Sequence, residues 1–168
     1  MKSEIGCVIM ASGLAKRFGS NKLLAEFDGK PLLCRAFAVT EGLHRVVVTR
    51  STEVQALCEK YGIPVLHHAH PLRSDTVRLG LECLLPRFPA MFGCVFLPGD
   101  QPLLTRKTLC CMVSAFCAEP DQKSQIFRLY EPQSGTPGSP VLFGADYFEE
   151  LRSLPEGRGG GVVVKRHA

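Results

Sequence analysis

Ile5-Gly6-Cys7-Val8-Ile9-Met10-Ala11, followed at once by Ser12-Gly13-Leu14-Ala15-Lys16-Arg17-Phe18-Gly19-Ser20-Asn21-Lys22, reads as a buried strand running into a cationic loop. An unbroken apolar run of seven residues, closed by Ser and Gly, has the length of a strand covered on both faces. Small residues at Ala11, Ser12 and Gly13 let backbone N–H groups approach phosphate oxygens. Arg17 can grip a pyrophosphate with forked hydrogen bonds, Gly19 permits a returning turn, and Lys22 adds a point charge at a second phosphate. Neither G-x-x-x-x-G-K-[ST] nor G-x-G-x-x-G is present, and the same residues would also suit a solvated surface loop.

Working outward, apolar runs at residues 45–49, 63–67, 93–97, 125–130, 140–143 and 162–165 read as further strands. Between them lie helical stripes: Val54, Leu57, Cys58 and Tyr61; Val77, Leu81, Leu84 and Leu85; and Leu109, Met112, Val113, Phe116 and Cys117. Thr52, Ser74 or Asp75, and Thr105 are the expected N-caps. Residues 131–140 and 155–161 read as loops rich in Gly and Pro or Ser. Alternation of strand and helix predicts an α/β fold of three layers, α/β/α, around a mostly parallel, Rossmann-like sheet in one domain spanning 1–168. Ligands of such sheets sit at the carboxyl ends of the strands.

The net charge of +4 suits a protein that handles anionic phosphates and is too weak and scattered to indicate nucleic acid binding. No apolar run approaches the about 18 residues of a membrane span, and residues 1–11 lack the form of a secretory signal, so a cytoplasmic protein is expected. Eight cysteines form no C-x-x-C pair and are expected to be reduced core residues, with Cys110 and Cys111 on different sides of a helix. His67, His68 and His70 are expected to be surface imidazoles without a role.

Asp100, in Leu97-Pro98-Gly99-Asp100-Gln101-Pro102-Leu103, falls at the end of a predicted strand, where one carboxylate can hold Mg²⁺ that also takes phosphate oxygens. Ser74 and Thr76, at a predicted helix start, could hydrogen-bond a nucleotide or simply cap the helix.

Residues 11–24, with Gly29-Lys30-Pro31-Leu32-Leu33 and Gly99-Asp100-Gln101-Pro102-Leu103, resemble the signature segments of the MobA-like NTP transferases, most closely those of the molybdenum cofactor cytidylyltransferases of the MocA type. The resemblance runs from about Ile5 to about Lys165. It implies a Mg²⁺-dependent nucleotidyltransferase acting on CTP and a molybdopterin-type acceptor, with a molybdenum hydroxylase apoenzyme as a further partner. It places the nucleotide on Ala11, Ser12, Gly13, Arg17, Gly19, Lys22, Ser74 and Thr76, and catalysis on Lys22, Arg17 and Asp100, the last also binding the metal. Gly138-Ser139-Pro140, in the pattern G-x-P-V-L-F, would lie near the acceptor. Guanylyl-transferring relatives usually carry Gly-Gly where this chain has Ser12-Gly13, which favours cytidylyl transfer. Two departures stand out: Arg158 replaces an Asp of the family's G-D-x-G-A-R, and the acidic segment expected beyond Ala168 is missing. The alternatives are a GTP-using guanylyltransferase of the MobA type, another small-molecule cytidylyltransferase such as those for sugar phosphates or isoprenoids, and, from the latter departure, a non-catalytic nucleotide-binding protein.

Overall fold

The computed structural model describes residues 4–13 and 21–168. Arg17 and Gly19 lie outside the described residues. The strands β1 (Ile5–Ala11), β4 (His44–Thr49), β5 (Val65–His67), β6 (Gly93–Pro98), β7 (Ile126–Tyr130) and β8 (Pro137–Gly144) make one sheet in the order β5-β4-β1-β6-β8-β7. The first four are mutually parallel, β8 runs antiparallel to β6, and β7 antiparallel to β8. A two-stranded ribbon, β2 (Glu26–Phe27) with β3 (Lys30–Pro31), stands apart. The mostly parallel α/β architecture is therefore as expected.

Central position explains the composition of β1. Flanked by β4 and β6, it can bury both faces, and Ile5, Cys7, Val8 and Ile9 are completely buried. Its odd-numbered residues join one core with α1 (Leu33–Val39), α2 (Thr52–Lys60) and α4 (Arg106–Ala118). Val8 joins the other, with α3 (Arg73–Leu84), α5 (Phe148–Arg152) and α6 (Gly161–His167). The alternation of side chains along a strand thus fills two layers.

Several local expectations need correction. Residues 162–165 are helical in α6 and not a strand. Val163 is completely buried in the second core, while Arg166 and His167 bind the Glu150 carboxylate, each at 2.8 Å. Tertiary packing outweighs the β-preference of three consecutive valines here. The N-cap of α2 is Ser51 and not Thr52: its hydroxyl accepts from Val54 N. Helix α3 begins earlier than expected, after Leu72, so Ser74 and Asp75 lie inside its first turn. Thr105 caps α4 as expected. The last part of the 131–140 segment is the start of β8.

Cys7, Cys58 and Cys94 are buried, and burial pushes the thiols of Cys7 and Cys58 up to about 12. Cys110 and Cys111 are exposed on α4, contrary to the expectation of a core role, and all eight cysteines are free.

Gly80 lets α3 settle on β1. A Cβ there would stand 2.5 Å from Val8 Cγ1 and 2.6 Å from Cγ2. Val8 is completely buried and β-branched, so it has little room to yield. Gly80→Ala should therefore destabilise the fold by about 1–3 kcal/mol despite the better helix propensity of alanine. Urea unfolding of the two proteins measures this, and an unchanged or higher midpoint would refute the close approach.

Candidate functional site

The parallel register brings several strand ends into one row. Ala11 pairs with Thr49, Thr49 with His67, and Met10 with Pro98. The β1–β6 ladder continues one step further through Gly99 N–H to Met10 O at 3.0 Å. Gly99 packs closely there: a Cβ would sit 3.0 Å from Leu33 Cδ1 and 3.3 Å from Leu23 Cδ2. The next residue, Asp100, emerges beside the end of β1 with its side chain about half exposed.

Lys22 reaches the same place from the other side. Asn21 caps a 3-10 turn over Lys22–Leu24 by accepting from Leu23 N, and Leu23 is buried in the core. That anchor carries Lys22 Nζ to 3.5 Å from Asp100 Oδ2. With both side chains about half exposed, the pair contributes little to stability. It can therefore open readily when a phosphate or a cation competes for its members.

Two clefts open at the same edge of the sheet, and neither has Lys22 or Asp100 in its wall. One, of about 360 Å³, is lined by Ser12, Gly13, Arg50, Arg73 and Thr76, among others. The second, of about 390 Å³, carries Arg73, Arg128, Arg158, Lys165 and Ser139, with Phe96 at its apolar side. Met10 and Arg73 line both. Four cationic side chains and no carboxylate line the second cleft among the described residues, so it suits an anion. The replacement by Arg158 noted in the sequence helps create that charge, and Arg73, Arg128 and Lys165 were missed. Arg73 and Lys165 belong to helices, and nothing in their spacing announces a shared cavity.

The remaining sequence candidates fall as follows. Ala11 is buried and its carbonyl accepts from Thr49 Oγ1 at 2.9 Å. Ser12 and Gly13 face the first cleft. Thr76 lines it too but is only 3 % exposed. Ser74 is buried, and its hydroxyl accepts from Gly157 N at 3.2 Å, so it secures the 155–161 loop beside the second cleft. Ser139 lines that cleft. Gly138 offers its carbonyl to Arg128 Nε at 2.9 Å, while Pro140 is buried behind a cis Ser139–Pro140 peptide. His68, expected at the surface, is 7 % exposed and bonded to Ser12.

Among the described residues no group of three or more His, Cys, Asp or Glu side chains could enclose a metal. A fully protein-made cage is therefore not the pattern here. A single half-exposed carboxylate at a strand end fits Mg²⁺, which keeps most of its positions for water and substrate phosphates. No helix is long and apolar enough to cross a membrane among the described residues.

Comparison with known proteins agrees with this architecture. Residues 7–168 match the family model described as MobA-like NTP transferase domain, and the chain belongs to that family. The crystal structure of Rv0371c from Mycobacterium tuberculosis H37Rv superposes with a TM-score of 0.80 at 23% identity, covering 95% of this chain and 82% of that one. A structure of CMP:2-keto-3-deoxy-manno-octonic acid synthetase complexed with CTP superposes with a TM-score of 0.69 at 13% identity, covering 95% and 82%. These likenesses establish the fold. Among curated relatives, the 3-deoxy-manno-octulosonate cytidylyltransferase of Polynucleobacter necessarius subsp. necessarius (strain STIR1) is 35% identical over 100 residues, 55% of this chain and 39% of that protein. That of Chlorobium limicola (strain DSM 245 / NBRC 103803 / 6330) is 29% identical over 116 residues, 64% and 45%. The chain thus spans less than half the length of these relatives.

Removing the Ser74 hydroxyl should loosen the loop that borders the cationic cleft. Ser74→Ala leaves the Gly157 N–H to water, since Gly157 is exposed, and should cost about 0.5–1.5 kcal/mol, the net worth of one ordinary hydrogen bond. Thermal unfolding together with the rate of tryptic cleavage after Arg158 reads both effects. Unchanged values for both would show that the contact does not hold the loop.

Proposed function

We propose that this chain transfers the cytidylyl group of CTP to the terminal phosphate of a molybdopterin-type acceptor, releasing pyrophosphate, with Mg²⁺ as the required cation. The observation that carries the reading is the meeting of Lys22 and Asp100, 3.5 Å apart just past the carboxyl end of β6, on the sheet edge where two clefts share Met10 and Arg73 in their walls and one of them is cationic. Membership of the MobA-like family and the cytidylyltransferase relatives support nucleotidyl transfer. A manganese complex is among the structures of similar fold, that of Rv0371c, at a TM-score of 0.74 and 22% identity. It supports a divalent cation for this chain as well.

In this reading the first cleft takes the nucleotide along Ala11, Ser12 and Gly13, with Thr76 at its wall and Ser74 holding the adjoining loop. The second takes the acceptor beside Gly138, Ser139 and Pro140, its phosphate paired with the arginines and Lys165. An oxygen of the acceptor phosphate attacks the α-phosphorus of CTP. The bond from that phosphorus to the β-bridging oxygen breaks, and the electron pair leaves with pyrophosphate. Lys22 releases Asp100 and turns its ammonium to the α-phosphate, where negative charge grows during attack. Arg17 is assigned the departing pyrophosphate, and Gly19 belongs to the nucleotide-binding set. Asp100 would hold Mg²⁺, which supplies charge neutralisation on phosphate oxygens. Catalysis is then by positioning and electrostatics, with no protein nucleophile.

A second reading has its own support. The curated relatives act, by name, on 3-deoxy-manno-octulosonate, and a carboxylate would suit the cationic cleft as well as a phosphate. The acceptor in that case is a keto sugar acid.

Pyrophosphate release with CTP, Mg²⁺ and each acceptor in turn separates the two readings, and release with neither acceptor would refute both. Asp100→Asn should retain the fold and lose most metal-dependent turnover, and substantial activity in the folded variant would remove Asp100 from the metal site. Lys22→Ala should lower turnover by about 10²–10³, the usual loss for a preorganised electrostatic donor, with a smaller loss of CTP affinity. Unchanged turnover at saturation would make Lys22 a phosphate anchor alone. Ser12-Gly13 favours CTP over GTP, and calorimetry showing equal or reversed affinities would exclude that preference.

A further inference from the structure

The carboxyl ends of β1, β4 and β5 are tied together by a small polar lattice. Thr49, completely buried, donates from Oγ1 to Ala11 O at 2.9 Å and accepts there from Ser51 N at 3.1 Å. One step along, His68 N–H bonds to Thr49 O at 3.0 Å, extending the β4–β5 ladder beyond the end of β5. The His68 ring then folds back under Ser12, with Nε2 2.8 Å from Oγ.

The neighbours decide the direction of that bond. His70 N–H points to His68 Nδ1 at 3.1 Å. A backbone N–H only donates, so Nδ1 must present its lone pair and the neutral ring carries its proton on Nε2. His68 is therefore the donor to Ser12 Oγ. The Ser12 hydroxyl in turn donates to Val48 O, 3.2 Å away. Both the position and the rotor of Ser12 are fixed, and one Oγ lone pair remains at the edge of the nucleotide cleft. Ser12 is also the residue that leads the backbone into Gly13.

We infer that His68 is a positioning residue for nucleotide binding: as a neutral imidazole held by the His70 N–H it locks Ser12, and protonation at Nδ1 breaks that hold and frees the ring from its place under Ser12. The inference rests on the nucleotide reading of the first cleft. A second proton could go only to Nδ1, where it would face the His70 N–H. The charged and titratable groups around the ring oppose charge in sum. Burial lowers the pKa of His68 below its ordinary 6.5 foremost, followed by His70 and Arg50, with Asp75 on α3 pulling the other way and His67 adding slightly. Because the native value is depressed, the stabilising contribution of the neutral ring is complete above 6.5. It is lost as pH falls from there through the native value.

The test compares CTP·Mg²⁺ binding by calorimetry between pH 5 and 8 in the wild type, His68→Gln and His68→Leu, with the ring titration of His68 followed by NMR. His68→Gln keeps an N–H donor of similar reach to Ser12 but cannot take up a proton in this range. His68→Leu fills the space without a donor. The ratio of wild-type to His68→Gln affinity removes the titration of the nucleotide's own phosphates. That ratio should be near one while the ring is neutral and fall several-fold once it is protonated, at the pH below 6.5 where NMR follows that step. His68→Leu should bind about tenfold more weakly at pH 8, the effect of losing one ordinary hydrogen bond in an otherwise folded site. Equal affinity of His68→Leu and wild type, or a ratio that stays flat while His68 titrates, overturns the inference and leaves the nucleotide reading intact. Absence of CTP binding by the wild type at every pH would instead overturn the functional reading, and this inference with it.

Discussion

The structure depends on one constraint: β1 must be buried on both faces and paired on both edges at once. Its parallel ladders to β4 and β6 satisfy every position along the run Ile5–Ala11, and its alternating side chains supply both cores. Once the register is set, the carboxyl ends fall into a row, and everything that follows a strand meets there. Lys22, Ser12, Thr49, His68 and Asp100 are separated by up to 88 residues of chain yet gather at that edge because the ladders place them. In open parallel sheets, ligands collect outside the carboxyl ends of the strands, which is this edge.

The two sides of the rim differ in character. Toward β4 and β5 it is an ordered lattice of hydrogen bonds among buried and partly buried groups: Thr49 to Ala11, His68 to Ser12, His70 to His68. Toward β8 it is cationic and open, formed by side chains from α3, β7, the 155–161 loop and α6. The first side suits precise placement of a nucleotide, because a satisfied buried network has few alternative arrangements. The second suits capture of an anion through charges that can still move. Between them the exposed Lys22–Asp100 pair is weakly bound and easily exchanged. The proposed reaction would use this division: one substrate held rigidly, the other drawn in, and charges that can change partners.

How far the sequence announced this varied with the physical range of each feature. β1, α4 and the Asp100 turn were readable because their signals are local: an apolar run with no break, a 3.6-residue stripe behind a Thr cap, a Gly-Asp beside a strand end. The second cleft was not, since Arg73, Arg128 and Lys165 become neighbours only through tertiary packing. α6 was misread because its valines favour a strand in isolation, whereas burial of Val163 and the pairing of Arg166 and His167 with Glu150 select a helix. His68 was misread for a similar reason. One of three histidines within four residues looks solvated, and only the continuation of the β4–β5 ladder turns its ring inward.

The central claim is that the chain joins a nucleotide to an anionic acceptor at this rim. The measurement that addresses it most directly is ³¹P NMR of a reaction containing the protein, CTP, Mg²⁺ and the molybdopterin-type acceptor. The account predicts the resonances of a new, unsymmetrical diphosphate linkage growing in equal amount to free pyrophosphate, as CTP and the acceptor phosphate decline together. Accumulation of CDP with inorganic phosphate, or of CMP with pyrophosphate and no new linkage, would mean that water takes the acceptor's place and would contradict it.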